Sequence, residues 1–247
     1  MYAPDLRSFP DAEAAARAAA LLVSEAAARA VAERGRFTLA LSGGSTPGRF
    51  FELLAQEPMD WDRTHVFWAD ERLVPADSPE SNQRLARERL IGRVSLPPGN
   101  VHPMPSPDIP LEDAEAQAQA HEAALRAFFG KEGSGHPAGG LVAGFPRFDA
   151  VHLGVGGDGH TASLFPGQAS LGERLRWVLP VRYAVASPPV ARLTLTLPVL
   201  DAAREVFFLV SGADKLALAR AIAAGERPDC PASRVRPASG SLCWLAG

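Results

Sequence analysis

Four short polar runs in this chain carry residue types that do chemistry. The first, Ser42-Gly43-Gly44-Ser45-Thr46-Pro47-Gly48, is built of small residues, so its backbone N–H groups can converge on an anion. Pro47 suits the first turn of a helix, whose N-terminus adds partial positive charge. A phosphate fits such a loop. Gly43 and Gly48 have P-loop spacing, yet Arg49-Phe50 stand where Lys and Ser/Thr would hold a γ-phosphate and magnesium. Pro47 also takes the place of the last glycine in a G-x-S-x-G nucleophile elbow. Nucleotide hydrolysis and serine-esterase chemistry are both disfavoured.

The second run, Gly154-Val155-Gly156-Gly157-Asp158-Gly159, matches G-x-G-x-x-G letter for letter. A dinucleotide site would need a long helix next and an acid about 20 residues on at a strand end. Pro166-Gly167 breaks any helix within two turns, and Glu173 lies in a charged stretch, so no such cofactor is expected. What remains is a flexible loop presenting Asp158 and His160, the histidine suited to general base work near neutrality. His152, inside an apolar run, is expected to pack. His65, His102, His121 and His136 have no comparable setting and are assigned no role.

The third run is Asp70-Glu71-Arg72. Arg72 can grip a phosphate or carboxylate, and Asp70 can orient an imidazole or accept a sugar hydroxyl. The fourth, Ser211-Gly212-Ala213-Asp214-Lys215, brings an ammonium group to a helix start, and Arg192 precedes the apolar run Leu193–Leu197.

These runs need elements to position them. Asp11–Arg34 reads as an Ala-rich amphipathic helix closed by Gly35, and Phe37–Leu41 as a strand leading into the first polar run. Pro47–Leu54 reads as a helix, His65–Ala69 as a strand, and Ser81-Asn82 as the N-cap of a helix to about Ile91. Residues 96–110 are proline-dense, 111–129 helical, and 131–146 a glycine-rich flexible loop. Phe148–Gly154, Trp177–Arg182, Leu193–Leu197, Glu205–Val210 and Leu242–Leu245 read as strands, with a helix over Asp214–Ala223. Strands alternating with helices predict an α/β fold, a mostly parallel sheet with helices on both faces, in one domain over 1–247. Ligands of such sheets bind at the carboxyl ends of the strands, where all four polar runs fall.

Composition narrows the class. With 25 Lys+Arg against 28 Asp+Glu, the net charge is −3, so no generic nucleic-acid surface is expected. The Ala-rich run is broken by Glu13, Arg17, Glu25 and Arg29, which argues against a membrane span. Cys230 and Cys243 match no zinc spacing and read as thiols of a reducing compartment. A cytoplasmic protein without metal or cofactor is expected.

Taken together, these runs resemble the 6-phosphogluconolactonase family. The matching pieces are Leu41–Pro47, Trp68–Pro75 with Ser81-Asn82, Gly154–Gly167, Arg192–Pro198 and Ser211–Lys215. The resemblance implies the Rossmann-like α/β fold shared with glucosamine-6-phosphate deaminases and ribose-5-phosphate isomerases. It also implies a carboxylic ester hydrolase that opens 6-phospho-D-glucono-1,5-lactone, a step of the pentose phosphate pathway. Its partner is this small sugar-phosphate lactone, with neither nucleic acid nor membrane. His160 would be the base, with Asp158 or Asp70 orienting it; loop N–H groups or Arg72 would hold the oxyanion. Ser42, Gly43, Gly44, Ser45, Thr46 and Lys215 would hold the phosphate, with Arg192 as an addition. The stretch 131–145 is longer than typical, and the chain stops at Trp244–Gly247, short of the family's usual tail. Deaminases of the superfamily carry a segment resembling Asp-Gly-His-Ile-Ala-Phe-Asn-Glu-Pro, whose glutamate falls on Phe165. A non-catalytic sugar-phosphate sensor would need the phosphate loop but no base.

Overall fold

The computed structural model describes residues 5–105, 114–130, 140–183, 185–186 and 188–247. The chain runs through β1 (Asp5–Ser8), α1 (Ala12–Arg34), β2 (Phe37–Leu41), α2 (Pro47–Leu54), β3 (Thr64–Trp68), β4 (Asp70–Arg72) and α3 (Asn82–Arg89). It continues with α4 (Ala114–Phe129), β5 (Leu141–Val142), β6 (Phe145–Pro146), β7 (Ala150–Leu153), β8 (Val178–Val181) and β9 (Arg192–Leu195). Last come α5 (Leu197–Ala202), β10 (Glu205–Val210), α6 (Ala213–Ala223), α7 (Pro231–Arg234) and β11 (Ser241–Ala246).

Short apolar runs that are buried along their whole length pair as a parallel sheet. Here β2 and β7 are buried throughout, and six strands form the sheet in the order β1-β11-β10-β7-β2-β3, with the polar β1 on an exposed edge. Every pair is parallel. The expected α/β architecture is therefore present, with α1 packed across β2, β10 and β11, and α6 across β1, β10 and β11. The alanines of α1 make this possible. Ala15, Ala16, Ala19, Ala20, Ala26, Ala27 and Ala30 are buried, so the helix backbone lies close to the sheet. Asp11 caps its start by accepting from Ala14 N at 2.8 Å, and Gly35 ends it at φ 76°.

The strand order reverses between β2 and β7, and the pairing there is short. Only Leu39↔Ala150 and Ala40↔Val151 are in register. Below this seam, buried Asp149 takes over as acceptor, receiving Thr38 N at 2.9 Å and Thr38 Oγ1 at 2.8 Å. Arg34 Nη2 reaches the same carboxylate at 3.0 Å and Arg204 Nε at 3.4 Å. Above the seam, the strands part and leave a crevice.

Several elements differ from expectation. Asp70–Arg72 is itself a strand rather than a loop. It pairs antiparallel with β9, which pairs antiparallel with β8, forming a second, three-stranded sheet. Ala69 joins the two sheets. Its N–H donates to Leu41 O in the central sheet, and its carbonyl accepts from Leu195 N in the second, both at 2.8 Å. The expected strand at Leu193–Leu197 ends at Leu195, and Leu197 opens α5. The glycine-rich loop ends in a small hairpin of β5 and β6, while residues 131–139, His136 among them, lie outside the described residues. Residues 111–113 of the expected fourth helix and 106–110 of the proline-dense stretch lie outside them as well.

Because Asp149 satisfies the buried end of the seam, its loss removes the acceptor of Thr38 N and a carboxylate that Arg34 and Arg204 both face. Asp149→Ala is expected to lower unfolding free energy in urea by about 3–5 kcal/mol, the scale of a broken buried pair.

Candidate active site

The four polar runs converge on one cavity of about 200 Å³ above the parted strands. Ser42, Gly43, Gly44, Ser45 and Thr46 enter it from the end of β2, and Gly156 and His160 from the end of β7. Lys215 enters from α6, and Asp70, Arg72 and Arg192 from the second sheet. A cavity of this kind suits a small ligand.

His160 is placed by a tight turn. Gly156 N donates to His160 O at 2.9 Å, and Gly159 adopts φ 85° to let the chain fold back. A Cβ on Gly156 would lie 2.1 Å from His160 Cε1 and Nδ1, so only glycine leaves room for the ring. Asp158 Oδ1 lies 2.5 Å from His160 Nδ1 and also accepts from His160 N at 3.1 Å. Burial acts to raise the Asp158 carboxyl, but the His160 backbone N–H, the imidazole charge and the ring hydrogen bond outweigh it and hold the pKa below its ordinary value. A carboxylate accepts, so Nδ1 must carry the proton, and in the neutral ring Nε2 then has the lone pair. The choice between Asp158 and Asp70 is thus decided by position. Asp70 instead accepts from Ser163 Oγ at 2.7 Å and from Asn82 Nδ2 at 3.3 Å.

Phe165 packs on the other side of the imidazole, ring centroids 4.7 Å apart, and Tyr183 stacks behind it at 4.6 Å. The guanidinium of Arg192 lies 5.5 Å from the Phe165 centroid. Across the β4–β9 ladder, Arg72 and Arg192 are direct partners. Two like charges opposite each other are destabilising on their own. Burial first and Arg72 second hold Arg192 below its ordinary pKa. Arg72 donates to Glu80 O at 2.7 Å, and its buried Nε meets no hydrogen-bond partner among the described residues. An anion in the cavity would relieve this cationic pair.

The first polar run is equally open to an anion. Thr46 precedes α2 without a side-chain bond to the helix N–H groups. Its Oγ1 accepts instead from Ser211 Oγ at 3.4 Å, tying the β2 loop to the β10 loop. Gly44 adopts φ 100°. A Cβ on Gly43 would lie 1.9 Å from Asn82 Oδ1, so the loop packs directly on Asn82.

Asn82, Glu71 and Cys230 were given no place in the site by sequence reasoning. Ser81 alone caps α3, through Arg84 N at 3.1 Å, and Asn82 turns its amide to Asp70 O at 2.9 Å. Glu71 is buried and accepts from the N–H groups of Arg72, Asn82 and Gln83 at 2.7–2.9 Å. Burial pushes its carboxyl up and these N–H groups pull it back part of the way. It anchors the start of α3 rather than meeting ligand. Cys230 backs the turn that carries His160, for a Cβ on Gly159 would lie 2.3 Å from its Sγ, and Ala232 N donates to Gly159 O at 3.1 Å. Of the other described histidines, His152 also lines the cavity and the remaining three lie elsewhere. His65 and His102 meet at 3.1 Å beside Phe67, and His121 is buried, its pKa pushed down to about 4 by burial.

Among the described residues, no group of three or more His, Cys, Asp or Glu side chains is arranged to hold a metal ion, and no helix is long and apolar enough to cross a membrane.

Fold and crevice together define a class, the α/β proteins that take a small ligand at the switch point of a parallel sheet. Within that class, the chain belongs to the family of glucosamine-6-phosphate isomerases/6-phosphogluconolactonase, whose model matches residues 10–244. It is 44% identical to a 6-phosphogluconolactonase of Synechocystis sp. over 221 residues, 88% of this chain and 84% of that one. The structure of 6-phosphogluconolactonase from Trypanosoma brucei superposes with a TM-score of 0.83 at 29% identity, covering 100% of this chain and 97% of that one. A monomeric glucosamine-6-phosphate deaminase shares the fold, with a TM-score of 0.76 at 19% identity over 98% of this chain and 97% of its own.

The Gly156 contact supplies a direct check on how the histidine is held. A crystal structure of Gly156→Ala is expected to show the imidazole displaced and its bond to Asp158 lost, with the surrounding sheet unchanged.

Proposed function

We propose that this chain is a 6-phosphogluconolactonase, hydrolysing 6-phospho-D-glucono-1,5-lactone to 6-phosphogluconate as a single-domain cytoplasmic enzyme. The observation that carries the reading is the setting of His160: a base held by Asp158 on one side and walled by Phe165 on the other. Deamination of an aminosugar moves protons between neighbouring carbons and calls for additional acid–base groups. Phe165 neither titrates nor accepts a hydrogen bond. A lactone needs only a base for water and donors for the oxyanion.

In this reading His160 Nε2 takes a proton from water as the water oxygen attacks the lactone carbonyl carbon. The tetrahedral oxyanion is held by loop N–H groups or by Arg72. The bond from that carbon to the ring oxygen then breaks, and the proton on Nε2 passes to the leaving oxygen. Asp158 keeps the imidazole in the required tautomer and stabilises the transient imidazolium. The phosphate, remote from the carbonyl, sits on the Ser42–Thr46 loop with Lys215 and Arg192, and its binding fixes the carbonyl over His160. The unpartnered Arg72 Nε and the uncapped start of α2 support anionic groups at both ends of the cavity.

The test is to offer purified protein the phosphorylated lactone and glucosamine 6-phosphate side by side. Rapid acid release from the lactone without ammonia from the amine is expected; ammonia at a matching rate would overturn the reading. His160→Asn, which keeps the bulk but removes the base, is expected to slow lactone hydrolysis by roughly 10²–10⁴-fold in a pH-stat assay.

A further inference from the structure

His152 is an odd residue for its place. It sits in the middle of a central strand, 1% exposed, where its neighbours in β7 are Val151 and Leu153. Its ring lies among Phe50, Phe51 and Phe207, at centroid distances of 5.2, 6.1 and 5.3 Å. Burial in that aromatic setting pushes its pKa down to about 3. Yet one edge of the ring is used. Ser42 N donates to His152 Nδ1 at 3.3 Å.

The alternation along β2 explains why. Thr38, Ala40 and Ser42 direct their backbone groups to the β7 side, whereas Leu41 O faces Ala69 on the β3 side. At Ala40 the partner is β7 backbone. At Ser42 the strands have already parted, and no β7 carbonyl follows. The imidazole stands in for the missing ladder. Asp149 does the same for Thr38 at the other end, so side chains of β7 and of the residue just before it close both ends of a two-pair seam.

We infer that His152 is a positioning residue, a neutral imidazole protonated on Nε2 whose Nδ1 fixes Ser42 N–H and so aims the Ser42–Thr46 loop at the substrate's phosphate. A leucine or phenylalanine there would pack as well but would leave the Ser42 donor buried and unmet. A cationic histidine would lose the acceptor. The consequence is specific to one end of the substrate: His152 bears on phosphate binding and not on the chemistry at His160. The inference rests on the reading that this loop holds the phosphate.

Two variants separate packing from positioning. His152→Phe keeps the bulk and removes the acceptor. Its KM for the phosphorylated lactone is expected to rise on the order of 10-fold, the scale of one unmet buried donor. The kcat should stay within about threefold, as for lost uniform binding, and plain gluconolactone should be turned over as before. His152→Asn places an oxygen near the position of Nδ1 and leaves a void, so it is expected to melt earlier while KM stays near the wild-type value. In the wild-type protein, 15N NMR should show Nδ1 unprotonated and Nε2 protonated from pH 5 to 8, and Ser42 N–H should exchange slowly. A protonated Nδ1, or an His152→Phe enzyme with unchanged KM, would overturn the inference, as would equal losses on both lactones. If the wild-type enzyme takes both lactones equally well, the phosphate reading fails instead, and the tautomer and the Ser42 exchange rate still decide whether His152 holds the loop.

Discussion

The two strands that flank the crevice, β2 and β7, must be neighbours in the sheet and yet separate at their carboxyl ends. Everything in the site depends on how that parting is accommodated. A parallel ladder cannot stop inside a core without leaving donors unmet, and each unmet donor costs about 1–3 kcal/mol. This chain shortens the β2–β7 ladder to two pairs and closes it with side chains, Asp149 at one end and His152 at the other. The space released above becomes the cavity. Glycines at 43, 44, 156 and 159 then allow the two departing loops to turn within it, each against a close neighbour or at positive φ.

Charge follows the same logic. Asp149 and Glu71 are both buried carboxylates that meet backbone N–H groups, and both serve as anchors away from ligand. Asp158 is a carboxylate spent on an imidazole. Arg72, Arg192 and Lys215 all line the cavity, and in the proposed reading these cations give the anionic substrate its place.

Much of this was legible from the residues. The long helix α1 carries its own cap signals, Asp11 and Gly35, and β2 and β10 are apolar runs with turn residues at their ends, so local chemistry is enough to define them. All the residues picked for chemistry line one cavity except Asp158, which instead holds His160 there. Less could be read where the partner is distant in sequence. Asp70-Glu71-Arg72 looks like a polar loop because its strand character comes from β9, more than a hundred residues on. Asp158 and Asp70 could not be told apart as partners of His160, since that depends on where Ser163 and Asn82 fall in space. Asn82 sits beside a cap residue in the sequence, and only the close approach of Gly43 reveals that its amide faces the site.

Ala69 has a thermodynamic consequence. By giving its N–H to one sheet and its carbonyl to the other, it welds the wall that carries Asp70 and Arg72 to the sheet that carries the loops. The conformational entropy of assembling the site is therefore surrendered when the chain folds, not when a ligand arrives. Such preorganisation leaves the ligand's binding energy available for differences between ground and transition state. A site welded in this way favours one rigid ligand over adaptation to many.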